Sequence, residues 1–277
     1  MIKRILVALD LDSDTPVATR YGIEIAKRHN ARVTGLAVVD MGSIDSTAIG
    51  GGIGSMYYAE KLRDKLTDDA RDKALKLTKT FDDICKDIDH IELVEEGVPF
   101  ERIIEDMKFH DLLIVGDDPH FFYNHPDSRT DTLVHVVEKT IGPTLVVKKK
   151  YRKVETVLVA YDGTDESARA LRRFLVLQPF GTDLDLVLLN VHKGNNEESM
   201  FRLRMAQSYA EAYGFRTEVV SMEDRDPEKA ILSKSSSVDA DLLIIGVHIK
   251  RGLTGKKLGK ITSFMLEHSE IPVFMDH

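Results

Sequence analysis

Eleven consecutive residues, Lys250-Arg-Gly-Leu-Thr-Gly-Lys-Lys-Leu-Gly-Lys260, hold five basic side chains and three glycines. Cations on a backbone partly free of Cβ atoms suit an anion, because glycine lets main-chain N–H groups approach it closely. The segment follows the apolar run Asp241-Leu-Leu-Ile-Ile-Gly246. If that run is a strand of a parallel sheet, the loop lies beyond its carboxyl end, where such sheets bind ligands. This placement favours an anion-binding loop over a flexible, solvated one. The string is no Walker A motif: Gly255-x3-Gly259-Lys260 is one residue short, and Ile261 stands where Ser or Thr is required. A carboxylate closes another apolar run in each half, Asp10 after Arg4-Ile-Leu-Val-Ala-Leu and Asp162 after Thr156-Val-Leu-Val-Ala-Tyr. There it accepts a hydrogen bond from a ligand amino group or hydroxyl, or it caps its own turn. Residue type and position leave both roles open.

Other reactive residue types carry weaker signals. Gly50-Gly51-Gly52-Ile53-Gly54 follows the second strand-like run, whereas a dinucleotide fingerprint follows the first and opens a helix. The segment 41–56 therefore reads as a mobile excursion or lid. His120 and His125 flank an aromatic stretch with no further ligand at a metal-binding spacing, so no metal site is expected. Cys85, the only cysteine, falls in the last turn of a long helical pattern and reads as a packing residue. No G-x-S-x-G elbow and no H-E-x-x-H occurs.

The elements that must position these groups occur twice. The runs 4–10 and 156–162 each lead into helix-start signals: Ser13, Asp14, Thr15 and Pro16 in one copy, Thr164, Asp165 and Glu166 in the other. Second strands are predicted at 32–39 and 184–191, long amphipathic helices at 57–84 and 197–212, and third strands at 91–95 and 217–220. Helices opened by Pro99 and Pro227 follow. The pair Asp111-Leu-Leu-Ile-Val-Gly116 and Asp241-Leu-Leu-Ile-Ile-Gly246 matches in length and layout, and last strands begin at Pro143 and Pro272. Strands alternating with helices require right-handed crossovers and parallel sheets covered on both faces. Two similar domains related by a pseudo-twofold axis follow, 1–150 and 151–277, each with its own sheet rather than one continuous sheet. The charged stretch Lys148-Lys-Lys-Tyr-Arg-Lys153 between them reads as a solvated linker.

A net charge of −8 disfavours nucleic acid as the main partner. No stretch approaches eighteen apolar residues, so no membrane span is expected, and a single cysteine fits a reducing cytoplasm.

With these residues in view, the chain resembles the universal stress protein family in its tandem form. The motifs that carry the resemblance are Val157-Leu-Val-Ala-Tyr-Asp-Gly-Thr-Asp-Glu-Ser167, Asp241-Leu-Leu-Ile-Ile-Gly246 and the closing Ser269-Glu-Ile-Pro-Val273. The resemblance implies an α/β fold of two tandem Rossmann-like, five-stranded parallel-sheet domains of the adenine nucleotide alpha hydrolase-like kind. It also implies pairing through the last strands, which the two halves can supply internally as a pseudo-dimer; a homodimer of tandem chains is a further expectation.

Some members of that family bind ATP through G-x2-G-x9-G-[ST]. In this register Gly246 and Gly259 are kept, Ile249 replaces the inner glycine, and Lys260 replaces the hydroxyl residue, with Thr262 and His248 close by. Ile249 crowds the backbone, whereas Lys260 adds a charge for an oxyanion. The resemblance gives Asp162 the contact to adenine or ribose and Val191 the backbone contact to the base, with Asp10, Val38 and Gly116 as their counterparts in the first half. There Asp117, Asp118, Pro119 and His120 follow Gly116, and Thr130 stands where the terminal glycine belongs. Carboxylates repel a phosphate and proline offers no N–H, so that site reads as degenerate.

The expectation is thus a cytoplasmic, stress-responsive regulatory protein whose second half binds an adenine nucleotide, ATP or AMP, or another phosphorylated ligand. The alternatives are an interaction protein that binds no nucleotide and a weak ATPase, the latter opposed by the absence of a nucleophile–base pair in sequence.

Overall fold

The computed structural model describes residues 1–10, 15–41, 44, 55–117, 135–137, 139, 141–252 and 255–276. Most of the 41–56 excursion, the aromatic stretch with His120 and His125, and Asp118, Pro119 and Thr130 lie outside the described residues. The first half runs β1 (Arg4–Leu9), α1 (Thr15–His29), β2 (Arg32–Asp40), α2 (Ser55–Cys85), β3 (His90–Gly97), α3 (Pro99–Met107), β4 (Leu112–Gly116), β5 (Thr144–Val147). The second runs β6 (Thr156–Ala160), α4 (Asp165–Leu177), β7 (Asp185–His192), α5 (Asn196–Ala212), β8 (Arg216–Glu223), α6 (Pro227–Ser237), β9 (Leu242–Gly246), β10 (Ile249–Gly252), β11 (Gly255–Leu258), α7 (Lys260–His268) and β12 (Val273–Asp276).

Local chemistry places these boundaries. Thr164 caps α4 by accepting from the Ser167 N–H, Asn195 caps α5 by accepting from that of Glu198, and Asp226 with Pro227 starts α6. Strands β4 and β5 are buried along their whole length, as parallel strands covered by helices on both faces must be. Alternation then divides the core. Ile5, Val7 and Leu9 of β1 join Phe274 and Leu145 on one face, while Leu6 and Ala8 join Val146, Val273 and Met275 on the other.

The strand order is β3-β2-β1-β4-β5-β12-β9-β6-β7-β8. All neighbours are parallel except β5 and β12, which pair antiparallel with Val146 opposite Val273, Leu145 opposite Phe274 and Thr144 opposite Met275. Leu145 and Phe274 occupy equivalent places in the two halves, each two residues after its proline. The register is therefore symmetric about that pair, and the pseudo-twofold axis passes through it. The expectation of two separate sheets needs correction: edge pairing of the last strands joins them into one ten-stranded sheet while each half keeps its own five-strand order. Burying two edges against each other satisfies main-chain groups that would otherwise stay open.

The stretch 148–153 is only in part a solvated linker: Lys149, Lys150 and Lys153 are exposed, but Lys148, Tyr151 and Arg152 are packed. Lys148 is 6% exposed, and its Nζ donates to Asp117 Oδ2 at 2.8 Å and to the Leu266 carbonyl at 2.9 Å. Tyr151 packs against Tyr21 with the rings tilted by 40°, under the Arg20 guanidinium, and Tyr21 Oη both donates to the Arg152 carbonyl and accepts from its N–H. Charged side chains with long apolar stems can pack as well as solvate, and composition alone does not separate the two.

Candidate functional site

A cleft of 420 Å³ opens at the carboxyl ends of β6, β7 and β9. In the second half the strand order reverses between β6 and β9, since the chain moves outward from β6 to β7 and β8 and then returns to the other side. Connections leaving such a pair diverge to opposite faces, which opens a crevice between them. Asp162, Val191, Gly246, His248, Gly259, Lys260 and Thr262 all line this cleft. Ala160, Leu189, Ile231 and Ile245 supply an apolar floor and walls.

The geometry refines what each residue does. Asp162 Oδ1 accepts from the Thr164 hydroxyl at 2.6 Å and its N–H at 3.0 Å, so one carboxylate oxygen shapes the turn that launches α4. The Asp162 carbonyl accepts from Arg202 Nη1 at 2.7 Å. Gly246 is glycine for a packing reason: a Cβ there would lie 2.4 Å from the Glu166 carbonyl carbon and 2.5 Å from the Ser167 nitrogen. The first turn of α4 thus rests directly on the end of β9. Gly259 caps α7, and its N–H donates to the His248 carbonyl at 2.6 Å, closing the base of the β10–β11 hairpin. Thr262 is 1% exposed, and its hydroxyl donates to the Gly246 carbonyl at 3.4 Å.

The basic glycine-rich segment forms an antiparallel hairpin in which Ile249 pairs with Leu258 and Gly252 with Gly255. The sequence reading of this segment as an anion-binding loop did not include these two strands. Gly252 and Gly255, one in each strand, masked the alternation on which a strand prediction depends.

Charged groups at the cleft occur in pairs. Lys260 Nζ lies 3.0 Å from Glu228 Oε1, and the paired carboxylate raises the lysine pKa. His248 Nδ1 lies 3.6 Å from Glu166 Oε1, an ion pair when the imidazole is protonated. The sequence reading takes Glu166 only as a helix-start signal and assigns neither it nor Glu228 to the site. The available signal was comparative: Glu228 follows the helix-opening proline of its half, where the first half has Phe100, which stacks on His135 at 5.1 Å.

The first half brings its counterparts to the same strand ends but hides them. Asp10 is 4% exposed and Val38 fully buried, and Gly116 is buried too. Thr15 donates to the Asp10 carbonyl at 2.9 Å and accepts from its N–H at 2.9 Å, a turn-capping arrangement. Asp117 faces Lys148.

Cys85 is buried, and burial, with Asp82 and Glu92 nearby, pushes its thiol up to about 12, so it packs and does not act as a nucleophile near neutral pH. Beside it, Asp82, His90 and Glu92 hold one ligand-capable atom each within 4.8 Å of one another, a grouping the sequence reading did not find because α2 and β3 bring it together. Burial opposes charge on His90, but the Ile88 carbonyl and the two carboxylates outweigh it and raise its pKa. Among the described residues no helix is long and apolar enough to cross a membrane.

The sequence profile of the universal stress protein family matches residues 1–116 and 153–277. A universal stress protein of Synechocystis sp. is 25% identical over 290 residues, covering 98% of this chain and 99% of its own. A solved universal stress protein structure from Archaeoglobus fulgidus superposes with a TM-score of 0.66 at 18% identity, covering 98% of this chain and 97% of the other. A universal stress protein family protein of Arabidopsis thaliana, solved with AMP bound, covers 44% of this chain and 90% of its own at 20% identity and a TM-score of 0.37.

Proposed function

The chain belongs to the universal stress protein family, and we propose that within it this protein is regulatory, with the cleft of its second half binding an adenine nucleotide or a related phosphorylated ligand such as ATP or AMP. The observation that carries this reading is the convergence, in one crevice at the strand-order switch, of seven residues from three separate stretches of sequence: Asp162, Val191 and the segment 246–262. Apolar walls from Leu189, Val191 and Ile231 suit a base, and the N-terminus of α7, with the first-turn N–H groups it leaves unsatisfied, suits an anion. The first half serves as a structural counterpart: its strand-end residues Asp10, Val38 and Gly116 are buried, and the symmetric β5–β12 junction makes it part of the same sheet. Ligand occupancy, rather than turnover, is then the output. The domains divide near residue 150.

Calorimetry on the parent and on Val191→Trp, with ATP, ADP and AMP to millimolar concentration, tests the assignment. Heat with at least one nucleotide, abolished by filling the cleft, is the expected outcome. No heat in the parent, or equal heat in the variant, removes the reading.

A second reading, interaction with a protein, has its own observation. Phe201, Met205 and Tyr209 recur every four residues on α5 and stay exposed, an apolar stripe on one helix face. Light scattering on the parent and on Phe201→Ser with Met205→Ser tests whether the stripe holds a second copy of the chain; a monomeric parent excludes that occupant.

A further inference from the structure

The cleft contains a carboxylate that an anion site would be expected to lack. Glu228 is 3% exposed although it lies on the first turn of α6 and lines the crevice. Its Oε1 holds Lys260, while its Oε2 is buried with no hydrogen-bond partner. An unsatisfied buried carboxylate oxygen is costly, and a native fold keeps one where something else supplies the donor. The charge balance points the same way. Among the described residues that line the cleft, Asp162, Glu166 and Glu228 set three carboxylates against the ammonium of Lys260, which is already engaged, and a His248 that faces Glu166.

We propose that Glu228 determines the specificity of this cleft: its Oε2 accepts a hydrogen bond from a hydroxyl or amino group of the bound nucleoside, and its hold on Lys260 makes the site prefer a nucleoside or nucleoside monophosphate to a triphosphate. This rests on reading the cleft as a nucleotide site, and it names the ligand class within that reading. A hydrogen bond to a charged acceptor in a buried setting discriminates strongly against ligands lacking the donor. An ion pair committed to Glu228 gives a polyphosphate little new attraction.

The test is calorimetry with adenosine, AMP and ATP, in EDTA so that no divalent cation bridges carboxylate and phosphate, on the parent, Glu228→Gln and Lys260→Met. The parent should bind adenosine or AMP at least about tenfold more tightly than ATP. Glu228→Gln frees Lys260 and weakens the acceptor, so ATP should gain and adenosine lose, closing the gap by about tenfold. Lys260→Met leaves Glu228 charged and unpaired, so ATP should weaken further while adenosine holds; this variant serves also if Glu228→Gln folds poorly. A parent that prefers ATP, or a ratio that Glu228→Gln leaves unchanged, overturns the role of Glu228 while leaving the nucleotide site intact. A parent that binds none of the three removes the nucleotide reading itself, and the role of Glu228 falls with it.

Discussion

Asp111 and Asp241, one in each half, make the same pair of hydrogen bonds: Asp111 Oδ2 accepts from the N–H groups of Lys3 and Arg4 at 2.7 and 3.0 Å, and Asp241 Oδ2 from those of Glu155 and Thr156 at 3.1 and 3.0 Å. Each carboxylate sits just before the fourth strand of its half and ties down the start of the first. The Asp that opens both Asp-Leu-Leu-Ile motifs is therefore a register clamp between adjacent strands, remote from the cleft at their opposite ends.

The clamp predicts matched costs. Asp111→Ala and Asp241→Ala each remove two charge-assisted hydrogen bonds at a partly solvated position and should each destabilise by about 1–2 kcal/mol. Asn at either position keeps one acceptor and should recover about half. Urea midpoints of the four variants provide the measurement, and a marked asymmetry between the halves would show that the two clamps are not equivalent.

Gly246 and Gly259 predict unequal costs despite sharing a motif. A methyl at Gly246 meets the α4 backbone at 2.4 Å, whereas one at Gly259 meets His248 at 3.1 Å from its carbonyl oxygen. Gly246→Ala must push α4 off β9 and should cost about 3 kcal/mol, while Gly259→Ala should cost about 1 kcal/mol or less. Thermal melts of the two variants decide it; equal losses would mean that α4 yields easily.

These pairs show what was legible in the sequence. The strands of the ten-stranded sheet were placed to within a few residues: in the interior strands burial on both faces leaves an unbroken apolar signature, while the part-exposed edge strands β3 and β8 were marked by the proline-opened helices that follow them. The family resemblance named seven of the residues that line the cleft, Asp162, Val191, Gly246, His248, Gly259, Lys260 and Thr262, but not Glu166 or Glu228. What stayed hidden depends on contacts between segments distant in sequence. The meeting of Lys260 with Glu228, the resting of Glu166 on Gly246, and the burial of Lys148 under Leu266 each arise only once helices and strands dock. The hairpin β10–β11 was missed for a local reason, since glycine and lysine are weak strand formers.

Lys148 links the halves through charge. Its Nζ reaches both Asp117 in the first half and the Leu266 carbonyl in the second, at 8% side-chain exposure. Lys148→Met leaves Asp117 without its cation beside an already unpartnered Oδ1. Because Asp117 keeps 23% exposure, water offsets part of the loss, and the cost should be about 2–3 kcal/mol. Adding Asp117→Leu should restore most of it, since an apolar pair replaces an ionic one at little net cost. A double mutant as unstable as Lys148→Met alone would show that the Leu266 bond, and not the ion pair, holds this corner.

His29 joins the halves in a protonation-dependent way. Its Nε2 lies 3.0 Å from the Gln178 carbonyl, and its Nδ1 accepts from the Ile2 N–H at 3.4 Å, an arrangement only the neutral imidazole with its proton on Nε2 can make. Burial lowers its pKa; the Gln178 carbonyl opposes this, and the N-terminal amine and Arg28 reinforce it. A histidine with a folded pKa below its unfolded value near 6.5 contributes stability that is fully present above that value and is lost as pH falls through the folded pKa. His110, whose pKa burial also lowers, loses stability in the same direction, while His90, whose pKa is raised, contributes below pH 6.5 and loses that contribution as pH rises. Both backgrounds are common to the parent and to His29→Gln and cancel in their difference. At pH 7.5 the variant should be less stable by about 1 kcal/mol, and the gap should narrow toward pH 5.5 as the parent alone protonates this position. Denaturant midpoints at pH 7.5, 6.5 and 5.5 report the trend, and a gap that widens with acid would mean that His29 is held charged between the halves.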